Sequence, residues 1–188
     1  MKFLLCFCIT GSLTAFSMAH AQSPIKSDSI YHGLKVYESA LSKVIEQLGP
    51  PSRQAETMGT RSSKYSDGTC VTSQFVYGYA LFYRKNHVTI YVNKRHNWVE
   101  EIHFGASSSF ISVKGVQTRK NSFADVLAKY GSIDFDKKNN DFPKLQQEST
   151  GGKWVTKLMY PGISFVSFGQ KQPTENLTVR KVDEIWLE

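Results

Sequence analysis

Trp98-Val99-Glu100-Glu101-Ile102-His103-Phe104 returns 83 residues further on as Lys181-Val182-Asp183-Glu184-Ile185-Trp186-Leu187. The echo extends beyond that segment. Gly33-Leu34, a run at 40–48 with apolar residues at helical spacing, and Gly49 come back at an offset of 82 as Gly115-Val116, residues 122–130 and Gly131. Similarity at a fixed long period makes each half one supersecondary unit rather than an arbitrary stretch. It predicts an architecture and leaves the chemistry open.

Each unit begins with a helix. Leu41, Val44, Ile45 and Leu48 fall at i, i+3, i+4 and i+7, and Phe123, Val126, Leu127 and Tyr130 take the same places one period later, which is one apolar stripe per helix. Ser39 and Ser122 are the expected N-caps, and Ser122-Phe123-Ala124-Asp125 has capping-box spacing with a shorter acid. Gly49 and Gly131 are placed to end the helices, and Pro50-Pro51 forbids continuation in the first. Strand-like runs rich in aromatic and β-branched residues follow at 72–83, 87–93 and 98–104, then at 153–160, 163–168 and 178–187. Pro161-Gly162 reads as a tight hairpin and 84–87 as a longer one. The turn-rich stretches 52–69 and 132–152 read as long irregular loops. The expected fold is α+β: two tandem helix-plus-antiparallel-meander repeats, 22–105 and 106–188, sharing one sheet of about six strands with both helices on one face. Gly105-Ala106-Ser107-Ser108-Ser109 is the expected joint.

Alternation assigns the two faces of that sheet. Leu81, Tyr83, Val88, Ile90, Ile102 and Phe104, with Leu158, Tyr160, Ile163, Phe165, Ile185 and Leu187, belong under the helices. The opposite face then carries Phe82, Tyr91, His103, Met159, Phe168 and Trp186, with Glu101, Lys157, Val166 and Glu184 among them. A solvated sheet face is normally polar, and a broad aromatic patch in the open marks an interaction site. Those six residues are the candidate partner-binding set.

Residues 1–21 read as a secretory signal peptide: Lys2, the apolar run 3–9, and Ala19-His20-Ala21 as the cleavage site. A chain starting at Gln22, periplasmic where the host has two membranes, follows as an expectation, with no stable membrane anchor. Cys6 and Cys8 lie inside the apolar run, not after it where a lipid-acceptor cysteine belongs. Without them Cys70 is alone, so no internal disulfide is expected, and burial is the expected fate of this thiol. The formal charge of +7 becomes +6 on cleavage, 22 basic against 16 acidic residues once Lys2 is gone. Such a balance suits anionic headgroups, cell-wall polymer or an acidic protein, or plain solubility. Nucleic acid is not an expected partner of an exported chain.

Two units of helix plus sheet, opening on Gly33-Leu34-Lys35-Val36 and closing the helix on Leu48-Gly49-Pro50, resemble the fold of the β-lactamase inhibitor protein over nearly the whole mature chain. One unit is also similar to the small lipoprotein of the outer-membrane β-barrel assembly machinery. The first resemblance implies a concave sheet that clamps a partner enzyme, the second an assembly role. The inhibitor's internal disulfides and the lipoprotein's lipidated cysteine have no counterpart in this chain.

Cys70, His87, His96 and His103 carry no nucleophile motif, and histidine spacings of nine and seven match no zinc pattern. The acidic and amide residues from Asp134 to Asp141 lack the glycine and terminal glutamate of a calcium loop, and Lys137-Lys138 oppose a cation. Asn176-Leu177-Thr178 is a glycosylation sequon with little meaning in a bacterium. No enzyme activity, metal or cofactor is expected. The sequence reads as an exported protein-binding module of the inhibitor or immunity type, whose partner is a protein such as an exported enzyme or toxin. The alternative is an envelope-assembly or cell-wall-associated accessory factor. Oligomeric state stays open.

Overall fold

The computed structural model describes residues 30–133, 142–169 and 177–188; the signal segment 1–21, the 134–141 stretch and Asn176 lie outside them. The elements in chain order are β1 (Ile30–Tyr31), β2 (Leu34–Lys35), α1 (Leu41–Leu48), β3 (Arg53–Lys64), β4 (Cys70–Tyr83), β5 (Val88–Asn93), β6 (Trp98–Phe104), α2 (Phe123–Tyr130), β7 (Lys144–Thr150), β8 (Lys153–Tyr160), β9 (Ile163–Gly169) and β10 (Glu184–Leu187). The fold is α+β. Eight strands form one antiparallel sheet in the order β3-β4-β5-β6-β10-β9-β8-β7, with β6 and β10 meeting at its centre through Ile185↔Phe104, Trp186↔His103 and Leu187↔Ile102.

The sheet has eight strands rather than six because the two expected loops contain the edge strands β3 and β7. An edge strand need bury neither face. Arg53–Lys64 is accordingly polar and mostly exposed, and shows no apolar alternation to read. The expected strand at 178–187 is shorter: Leu177–Val179 is a 3-10 turn, Lys181 bridges Ser122, and β10 covers only four residues.

Both helices sit over one face. Val44, Phe123 and Val126 are fully buried in a single cluster with all twelve sheet residues assigned to that face, Leu81 through Leu187. Ile45, by contrast, is exposed, so the α1 stripe is narrower than its spacing suggests. α2 has the full capping box, Ser122 Oγ accepting from Asp125 N–H at 3.3 Å and Ser122 N–H donating to Asp125 Oδ2 at 2.7 Å. α1 does not: its N-cap is Ala40 with no side-chain bond, and Ser39 instead turns its buried hydroxyl back to accept from Lys35 N–H at 2.9 Å. Cys70 is exposed, not buried. It stands opposite Lys64 where β3 and β4 run out beyond the rest of the sheet, and a two-stranded ribbon has no covering layer to bury a thiol.

Several contacts recur at the same offset as the sequence. Lys35 N–H donates to Ser39 Oγ, and Gln117 N–H to Asn121 Oδ1, each at 2.9 Å. Tyr37 and Arg119, with φ of 61° and 62°, donate to the carbonyls of Val99 and Val182 at 2.7 and 2.6 Å. Tyr83 and Tyr160, 77 residues apart, also reach from the sheet to donate their hydroxyls to the carbonyls of Gly49 and Gly131, which are 82 apart, at 3.1 and 2.7 Å. Each tyrosine thereby satisfies an orphan carbonyl at a helix end.

Candidate functional site

On the face away from the helices, Phe82, Thr89, His103, Trp186, Ser164 and Met159 are successive register partners in one row from β4 to β8. The centre of this row is tightly organised. The His103 and Trp186 rings stack at 4.0 Å between centroids and 3° between planes. Lys157 Nζ lies 4.2 Å from the Trp186 ring centroid, and the indole N–H donates to Glu184 Oε2 at 2.7 Å. Both a stacked imidazole and a cation therefore use this indole, and its one donor is taken. On the first half of the sheet, Tyr91 packs against His103 at 4.6 Å.

Two ion pairs organise the charge on the face. His103 Nε2 and Glu101 Oε2 are 2.6 Å apart. The His103 hydrogen bond holds the Glu101 carboxyl below its ordinary range, against the opposing effect of burial, with the charges of His103 and Lys157 assisting. Burial pushes the Tyr91 phenol up, and the carboxylates of Glu101 and Glu184 push it further. Lys157 also reaches Glu148 at 3.3 Å.

Of the six candidate residues, Phe82, Tyr91, His103 and Trp186 are half-buried and line or border a depression, whereas Phe168 stands apart and is 39% exposed. Met159 is only 8% exposed and, with Ser164 and Val166, belongs to the floor of the face. The depression, a cavity of about 490 Å³, is lined by Phe82, Thr89, Tyr91, His103, Glu184 and Trp186 together with Arg84 and His87 at its end. Arg84 and His87 are outside the set that alternation assigns, because residues 84–87 signal no more than a turn in sequence. The connection is a short 3-10 helix with His87 at a left-handed φ of 52°, a geometry no periodicity reports.

The cysteine and histidine candidates are not brought together. Cys70 is at the ribbon end, His96 stacks on Trp98 at 4.5 Å, and His87 and His103 border the depression. Among the described residues, no hydroxyl or thiol hydrogen-bonds to His103, no group of three or more histidine, cysteine or acidic side chains is arranged to hold a metal, and no helix is long and apolar enough to cross a membrane. What the face offers is a rigid surface of rings with a groove beside it. No protein-family model, curated protein or solved structure matches this chain.

Proposed function

We propose that the chain is an exported, non-enzymatic protein-binding module of the inhibitor or immunity type, built from two tandem helix-plus-sheet repeats and gripping a protein partner with the sheet face away from the helices. The carrying observation is that face itself: Phe82, Tyr91, His103 and Trp186 gather around one groove while both helices pack on the opposite side. Aromatic rings held rigid before binding lose little entropy on contact, which is why such residues anchor interfaces. The tandem-repeat reading is supported by the contacts that recur 82 residues apart, down to paired backbone angles at Tyr37 and Arg119. It accords with the inhibitor-like arrangement of two units in one partner-clamping sheet. Export rests on residues 1–21.

The test is capture from an envelope extract of the producing cell, using wild-type chain and a Phe82→Ala/Tyr91→Ala variant side by side. A protein retained by the first and lost from the second, with both chains folded, supports the reading. Equal retention by both removes the face from the interface. Co-purification with an outer-membrane barrel complex in place of an exported enzyme or toxin would favour the accessory-factor alternative.

A further inference from the structure

A second groove lies at the other end of β4 and β5. β5 pairs with β4 only at residues 78–83, so residues 70–76 of β4 are paired to β3 alone. On the side away from β3, this stretch of backbone has no strand beside it among the described residues, and an open strand edge is a template for another. The β5–β6 turn closes the notch, Lys94 N–H donating to the Tyr77 carbonyl at 3.0 Å. That turn is pinned, since Asn93 Oδ1 accepts from Arg95 N–H at 2.9 Å and His96 N–H at 3.1 Å.

The notch is cationic and half-aromatic. Arg61, Phe75, Tyr77, Lys94, Arg95 and His96 line a cavity of about 530 Å³, and no carboxylate is among its lining residues. Glu100 at its rim accepts the Tyr77 hydroxyl. Phe75 is 41% exposed yet held in place: its ring lies across Gly59, where any Cβ would come within 2.6 Å of it, and the Arg61 guanidinium is 5.7 Å from its centroid. Three cationic side chains, two of them on a pinned turn, a ring held in place and a free strand edge are the elements of strand-addition recognition, in which backbone bonds supply affinity and alternate side chains supply specificity.

We propose that this notch docks an extended acidic peptide segment of a partner protein, which adds as a strand to the free edge of β4 with its carboxylates on Arg61, Lys94 and Arg95 and an apolar side chain on Phe75. Charge complementarity selects an acidic occupant, and the open backbone edge selects an extended peptide over a lipid headgroup. The notch shares no lining residue with the depression beside Trp186 and does not depend on that depression binding anything.

The probe is a fluorescein-labelled peptide of about ten residues with threonine at every other position and glutamates plus one central valine or tyrosine at the positions between, so that acid and apolar side chains share a face, titrated by anisotropy into the full chain. Saturable binding is expected, weakened at least about tenfold by Lys94→Glu/Arg95→Glu, and by a similar factor when alternate peptide nitrogens are methylated and cannot pair. Tyr91→Ala should leave it unchanged. Circular dichroism checks that the charge-reversed chain folds; if it does not, the methylated peptide and the loss of binding with salt decide on wild-type protein. Absence of saturable binding overturns the proposal, as does equal affinity for the methylated peptide. Preferential sedimentation with phosphatidylglycerol vesicles, lost on charge reversal, would reassign the notch to a membrane surface. Self-association that competes with the peptide in ultracentrifugation would reassign it to a second copy of the chain.

Discussion

At single residues, the two buried valines of the helices and the two tyrosines that reach the helix ends carry separable effects. Val44 and Val126 are both fully buried. Val44→Ala and Val126→Ala should each destabilise by about 1–3 kcal/mol in thermal or denaturant unfolding, the sum of lost transfer energy and a small cavity. Near-zero effects at both would mean the buried stripe is drawn on the wrong side. Tyr160 gives a pH signature, because burial pushes its phenol up to about 12 from an ordinary value near 10. The native state therefore holds this proton more tightly than the unfolded chain does. Its contribution to stability is whole below pH 10 and is lost as pH rises from about 10 to about 12. Tyr160→Phe should flatten some of the alkaline decline in unfolding free energy, at the expense of the hydrogen bond to Gly131. An alkaline limb identical in both proteins would contradict the burial assigned to this ring.

Among the elements, the β4 bulge is the tightest point. The β3–β4 register shifts between Thr57 and Met58, and beside it Gly78 lies so close to β5 that a Cβ would stand 2.2 Å from the Val92 carbonyl oxygen. Gly78→Ala must push β4 and β5 away from each other, and a loss above about 2 kcal/mol is expected in denaturant unfolding. A tolerated alanine would show that the two strands have room to separate here. The helix starts differ in the opposite sense. Ala40 has the extended backbone of an N-cap, φ −74° and ψ 161°, without a capping side chain. Ala40→Ser should therefore stabilise by about 0.5–1 kcal/mol, whereas Ser122→Ala, which dismantles the box on α2, should lower the melting temperature. Serine residues precede both helices in sequence, but only the one whose hydroxyl faces the first turn caps. The other is spent on the backbone of Lys35.

Over the whole molecule, the aromatic face predicts a division between binding and folding. Tyr91→Ala and Phe82→Ala should each weaken a captured partner by about 2 kcal/mol or more in calorimetry while leaving the unfolding transition nearly in place. Trp186→Ala should affect both, because its ring is packed between His103 and Lys157 and its N–H is bonded to Glu184. A large stability loss with intrinsic affinity unchanged at Tyr91 and Phe82 would remove the interface. Much of this arrangement is legible along the chain. Helical spacing locates α1 and α2, alternation sorts the twelve core residues from the face beyond them, and Pro161-Gly162 marks its hairpin, because periodicity and turn chemistry are local consequences of which side must be dry. The edge strands β3 and β7 are not legible, since β3 is mostly exposed and β7 offers a single apolar residue, Leu145, to the core, so neither leaves an alternation to read, nor is the exposure of Cys70, which follows from β4 outrunning β5. Tertiary packing also decides that Met159 belongs to the floor, that Trp186 is enclosed by its own neighbours, and that Arg61 meets Lys94 and Arg95 across a notch. These depend on which residues become neighbours across strands, and that is set by register and strand length, not by the spacing of residues along one strand.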